Sequence, residues 1–161
     1  MGKRRVLLAG IAVVVGATGV GGIAVAHGGR DRLHAELRGR NEVVAEGAPL
    51  DRDARGSAEI RVRGTSEICF RITFDRTGTP NRGHIHVGPS GTNGAIVVPL
   101  FELVGLPADE RNDVLERGWI ADCVAADPAV VEAIEAGPGG YYVNIHNARF
   151  PAGSARGQLG G

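Results

Sequence analysis

The chain is poor in cysteine, in aromatic residues and in net charge, and each shortage removes a class of function. Its 161 residues include two cysteines, Cys69 and Cys123, and nothing resembling C-x-x-C, so a dithiol redox motif and a cysteine-rich metal site are both excluded. Aromatic residues make up 4% of the chain, too few for a platform that stacks sugars or bases. Lys plus Arg, at 18, equal Asp plus Glu, at 18, and three of the basic residues are Lys3, Arg4 and Arg5. Without residues 1–26 the balance is 15 against 18, a formal charge of −3, which speaks against a nucleic-acid partner. Serine catalysis has no setting either, since Ser66, Ser90 and Ser154 lie in no nucleophile elbow or triad pattern. Internal repeats and low-complexity tracts are absent.

The one long apolar run is N-terminal. Lys3, Arg4 and Arg5 precede 21 uncharged residues, 6–26, that end in Ala24-Val25-Ala26, the order of a signal peptide with a small-residue cleavage site. A run of this length also approaches the ~20 residues of a membrane-spanning helix. Glycines at 10, 16, 19, 21 and 22 weaken a helix interior and favour the cleaved signal. No cysteine stands near the cleavage site, so a lipid-modified cysteine is not expected. Whether residues 1–26 are a signal peptide or an N-terminal membrane anchor, residues 27–161 lie outside the cytoplasm, secreted or tethered by that segment, as one domain of ordinary size. In that oxidising setting an even pair predicts a Cys69–Cys123 disulfide, with two buried thiols as the alternative. The loop it closes, about 55 residues, corresponds to roughly 4 kcal/mol of chain entropy.

Beyond residue 30 short segments of period-two alternation dominate, separated by turn residues. Strands are expected at 33–38, 58–63, 68–75, 84–87, 96–101, 119–124, 141–146 and 155–159. In the third, Ile68, Phe70, Ile72 and Phe74 alternate with Cys69, Arg71 and Thr73, so one face is apolar and the other wet. A single short helix is expected at 128–136: Asp127 caps it, Pro128 takes its first position, Val130, Val131 and Ile134 share a side, and Gly137 ends it. Residues 105–117 are charged and read as a long connection with one helical turn at 109–115. The predicted class is all-β, an antiparallel Greek-key-like sandwich or barrel of about eight strands with one short helix.

The chemistry concentrates in GHIHVGPSGTNGAIVVPLF, residues 83–101, and YYVNIHN, residues 141–147. Alternation puts His84 and His86 on one face of their strand and Ile85 and Val87 on the other. The same parity turns Val143 and Ile145 inward and Tyr142, Asn144 and His146 outward. If the two strands are neighbours, His84, His86 and His146 meet on one outer surface. Three neutral imidazoles suit zinc or copper, leaving a fourth position for water, Asn144 or a carboxylate. The competing reading is structural, with rings that hydrogen-bond loop backbone or each other. The GPSGTNG stretch, residues 88–94, is not a phosphate-binding loop, because no G-K-[ST] and no helix follow it. Near the C-terminus, FPAGSARGQL places Arg156 and Gln158 on a last strand. There Arg156 bonds a carboxylate or loop carbonyls, or else faces a ligand.

GHIHVG with NGAIVVPLF, followed by YYVNIHNARFPAGSARGQL, resembles the CHRD (chordin) domain family, and the likeness extends from about residue 33 to residue 159. The resemblance implies a secreted or surface-exposed β-rich domain, found repeated in chordin, which antagonises bone morphogenetic proteins, and alone in bacterial proteins. The growth-factor role is not carried over to a single domain behind a bacterial-style signal. Two departures stand out: Gly153-Ser154-Ala155 where the family often has Gly-Glu-Ile, and the cysteine pair with the helix at 128–136, which suggest a disulfide-containing subgroup. A weaker likeness in fold and H-x-H pattern is to copper/zinc superoxide dismutase. The full ligand set of that enzyme is missing, so dismutase activity is not expected.

The functional expectation is therefore an exported, non-enzymatic binding or structural module with no catalytic residues. Its partner would be an extracellular protein or a cell-envelope component recognised through sheet edges. The alternative is a copper- or zinc-binding protein using His84, His86 and His146.

Overall fold

The computed structural model describes residues 32–161, so the 1–26 segment lies outside the described residues. Eight strands, β1 (Leu33–Arg38), β2 (Arg55–Arg63), β3 (Glu67–Asp75), β4 (Pro80–Val87), β5 (Ile96–Glu102), β6 (Trp119–Ala125), β7 (Tyr141–Asn147) and β8 (Ala155–Gln158), form one antiparallel sheet. Its order is β5-β4-β7-β8-β1-β2-β3-β6, and its end strands β5 and β6 curl towards each other into a nearly closed barrel. The all-β, Greek-key-like architecture expected from the alternation is the one observed.

Alternation decides which residues build the core. Leu33, Ala35 and Leu37 of β1, Ala58 and Ile60 of β2, Ile68, Phe70 and Ile72 of β3, Ile85 of β4, Val98 and Leu100 of β5, and Val143 and Ile145 of β7 all point into the barrel and are buried. Each isoleucine removed from water in this way contributes about 2 kcal/mol of transfer free energy. Strand β2 begins three residues earlier than its sequence pattern suggests, because Arg55, Gly56 and Ser57 continue both ladders, opposite Arg38, Leu37 and Glu36 of β1 and opposite Asp75, Phe74 and Thr73 of β3. Cys69 and Cys123 face each other across β3 and β6 and are joined by a disulfide.

The helix expected after Asp127 is present as α2 (Pro128–Ala136), with the Asp127 side chain accepting a hydrogen bond from the Ala129 N–H at 2.8 Å. It lays Val131 and Ile134 on the core. The expectation of a single helix is corrected, because the charged connection holds a full helix, α1 (Ala108–Arg117), ended by Gly118 in the left-handed conformation at φ 68°. Only Val114 of α1 is buried, so the apolar periodicity that marks a helix is almost absent from its sequence. No helix among the described residues is long and apolar enough to cross a membrane.

Candidate metal centre

Strands β4 and β7 are neighbours, and their register fixes what meets outside the barrel: Arg82 lies opposite His146, His84 opposite Asn144, and His86 opposite Tyr142. The row continues across β8, where Asn144 faces Arg156 and Tyr142 faces Gln158, and on to Arg38 of β1. Residues directly opposite in an antiparallel pair hold their Cβ atoms about 5 Å apart, so His84 and His146 are diagonal neighbours within reach of their rings. One ring nitrogen from each of His84, His86 and His146 lies within 4.8 Å of the other two.

An outward strand position normally faces water, yet this patch is covered. His84 and His86 are half-buried, and His146 is 9% exposed. Segments between the strands fold over it. Asn147 accepts hydrogen bonds from the Arg149 and Phe150 N–H groups at 2.9 and 2.8 Å, a local turn that brings the Pro151 carbonyl to His146. Gly94 reaches the patch from the other side. Its carbonyl lies 3.0 Å from His86 Nδ1 and its N–H donates to the Tyr142 hydroxyl at 3.2 Å. A Cβ on Gly94 would stand 1.5 Å from the Val87 carbonyl oxygen, so glycine alone fits there.

These contacts set the tautomers. A carbonyl oxygen only accepts, so His86 Nδ1 donates to Gly94 and His146 Nδ1 donates to Pro151 at 3.1 Å. In the neutral rings both Nε2 atoms then carry lone pairs. His84 Nδ1, 3.2 Å from His146 Nε2, must be the donor of that pair, which leaves His84 Nε2 with a lone pair too. His86 Nε2 is buried with no hydrogen-bond partner. Fixing Nδ1–H on a backbone carbonyl while Nε2 stays open is the arrangement by which proteins orient metal-ligating histidines.

Electrostatics keep the rings neutral. The His84 pKa is lowered to about 4, chiefly by burial and further by the charges of His146, His86 and Arg82. His86 is lowered by burial, against the opposing effect of its bond to Gly94. His146 is lowered mainly by burial, with Pro151 opposing and His86 and Arg82 adding to the shift. Neutral imidazole is the metal-binding form.

Around the triad stands a polar frame. Asn144 donates through Nδ2 to both carboxylate oxygens of Glu42 at 3.0 Å, and its own Oδ1 is buried without a partner. Glu42 is 8% exposed, and burial outweighs Arg156 and Asn144 to raise its pKa to about 8. Arg156, 3% exposed, lies 4.3 Å over the Tyr142 ring, which stacks at 4.9 Å on His86, and Arg156 Nη1 donates to Asn93 Oδ1 at 3.0 Å. Gln158 Nε2 lies 2.8 Å from the carbonyl oxygens of Gly88, Gly139 and Tyr141, so it ties down the loop rather than facing the rings. Cys69 and Cys123 sit on β3 and β6, and with both sulfurs in the disulfide they offer no thiolate beside Glu67.

Sequence reasoning brought the three histidines and Asn144 together through parity and turned Tyr142 to the same face, but missed Arg82, Glu42 and Gly94 as parts of the site. Arg82 was within reach of the same argument, two residues before His84 on the same face. Glu42 gives no local signal, because it arrives on a loop more than a hundred residues away in the chain.

The fold and the site thus define an antiparallel β-barrel carrying a loop-covered histidine triad on its outer wall. The chain belongs to the CHRD domain family, whose model matches residues 33–159. No curated protein and no solved structure matches it.

Proposed function

We propose that this CHRD domain is an exported, non-catalytic module that binds one copper or zinc ion through Nε2 of His86 and His146 and a ring nitrogen of His84. The observation that carries the reading is the pair of carbonyl-anchored Nδ1–H groups, which commits His86 and His146 to the tautomer whose Nε2 keeps its lone pair, within a cluster of three rings. Three neutral nitrogens without a carboxylate favour copper or zinc over magnesium or calcium, which take oxygen ligands. In a tetrahedral site with bonds of ~2.0 to 2.1 Å the nitrogens stand about 3.3 Å apart, so ring rotations of about an ångström bring the present spacing to that of a loaded centre. Elemental analysis of the purified protein, with thermal melts in copper, zinc and magnesium, tests it. One equivalent of copper or zinc and a melting temperature raised by those ions but not by magnesium is the expected result. No bound metal and no shift would sink it.

Residues 1–26 support export, and the end strands β5 and β6, which no ladder joins to each other, are where an extracellular or cell-envelope partner would pair. N-terminal sequencing of the exported protein should begin at His27. An intact Met1 in the membrane fraction would instead make the segment an anchor.

A further inference from the structure

We propose that Arg82 holds a small monoanion at the open position of the metal in the His84, His86 and His146 site. This rests on the metal reading above. Three neutral imidazoles leave the full charge of a divalent ion uncompensated, and no carboxylate belongs to the cluster. Asn144, directly opposite His84, has its amide nitrogen committed to both carboxylate oxygens of Glu42, which fixes the orientation of its side chain. The fourth position is therefore open to a ligand from outside the protein.

Arg82 is placed to receive it. It stands directly opposite His146 in the β4–β7 register and two residues before His84 on the same face. Its Nε–H is buried and has no hydrogen-bond partner, and it makes none of the ion pairs found among the described residues. Glu102, opposite it on β5, is the nearest acidic residue in the ladder and forms no ion pair with it. A buried, unpaired guanidinium N–H costs free energy until an acceptor meets it, and an anion on the metal supplies that acceptor. The cover over the patch, with Tyr142 and Asn144 buried and His146 nearly so, limits the guest to a few atoms, such as hydroxide, hydrogencarbonate or azide.

The test is azide titration of the full-length protein loaded with copper(II), read by the azide-to-copper charge-transfer band. Azide should bind the wild type and be displaced by hydrogencarbonate. In Arg82→Met its affinity, expressed per bound copper, should fall by about tenfold or more, the size of one charge-assisted hydrogen bond, and Arg82→Lys should recover part of it. Since Met removes a positive charge beside the ion, copper itself should bind the variant more tightly, which separates loss of the anion contact from general damage. Equal azide affinity in wild type and Arg82→Met, or a loaded protein that gives no azide band, overturns the proposal and leaves the metal reading standing. Absence of copper uptake overturns both. Should Arg82→Met fail to fold, Arg82→Lys and the hydrogencarbonate competition in the wild type decide the matter, with no competition counting against it.

Discussion

His84 Nδ1 and His146 Nε2 lie 3.2 Å apart across the β4–β7 pair, and this contact places the proton of His84 on Nδ1 once His146 is anchored to Pro151. His146 has already given its Nδ1 proton to Pro151, so its Nε2 can only accept. The lone pair that would bind a metal is thus occupied, in the unliganded protein, by a proton of its neighbour. Binding exchanges that hydrogen bond for a coordinate bond and requires the His84 ring to turn.

The two carbonyl-anchored rings, His86 and His146, are the ones whose loss should be felt. His146→Ala should lower copper or zinc affinity by a hundredfold or more, since removing even an outer partner of a ligand typically costs about 10- to 100-fold. His86→Ala should do the same. A chelator competition titration measures both, and affinities within threefold of wild type would remove the two residues from the site.

Gly153 should tolerate no side chain. A Cβ there would sit 2.4 Å from the Glu42 carboxylate, and the backbone φ of 148° lies where other residues are strained. Gly153→Ala should therefore cost about 2 kcal/mol or more in urea unfolding. A variant as stable as wild type would show that Glu42 and its loop move aside freely.

Most of the barrel was legible because alternation between an apolar inner face and a polar outer one is local information. Ile68, Phe70 and Ile72 identify β3 unaided, and the cap at Asp127 with Pro128 identifies α2. Helix α1 was not, since its only buried residue is Val114 and its charges suit a solvated loop equally well. Parity paired His84 with His86 and turned His146 the same way, and neighbouring strands did the rest. What parity does not carry is the cover over the outer face. That depends on where loops far apart in sequence meet, as Asn93 does when it bonds the Val43 carbonyl at 2.8 Å and Arg156 at 3.0 Å.

The Cys69–Cys123 bond ties the end strand β6 to β3 across 54 residues of chain. Intact mass of the exported protein should rise by two hydrogens on reduction, and Cys69→Ser with Cys123→Ser should lose about 4 kcal/mol of stability. Two free thiols before reduction would reject the bond in the mature protein.

The stability of the metal-free protein should fall on both sides of neutrality for different reasons. The three histidines have folded pKa values below their ordinary 6.5, with His84 near 4, so they bind fewer protons folded than unfolded. Their contribution is complete above pH 6.5 and is lost as pH falls through the folded values. Glu42 has the opposite sign. Its pKa rises from 4.5 to about 8, so its contribution is complete below pH 4.5 and is lost as pH climbs towards and through 8. Between pH 4.5 and 6.5 the two oppose each other, whereas between 6.5 and 8 Glu42 acts without that opposition. Melting temperature measured in that upper window should therefore decline with pH in the wild type, by an amount on the order of a few kcal/mol in stability, and stay level in Glu42→Gln, which keeps the shape and has no proton to lose. Parallel curves for the two proteins would assign the alkaline loss to another group.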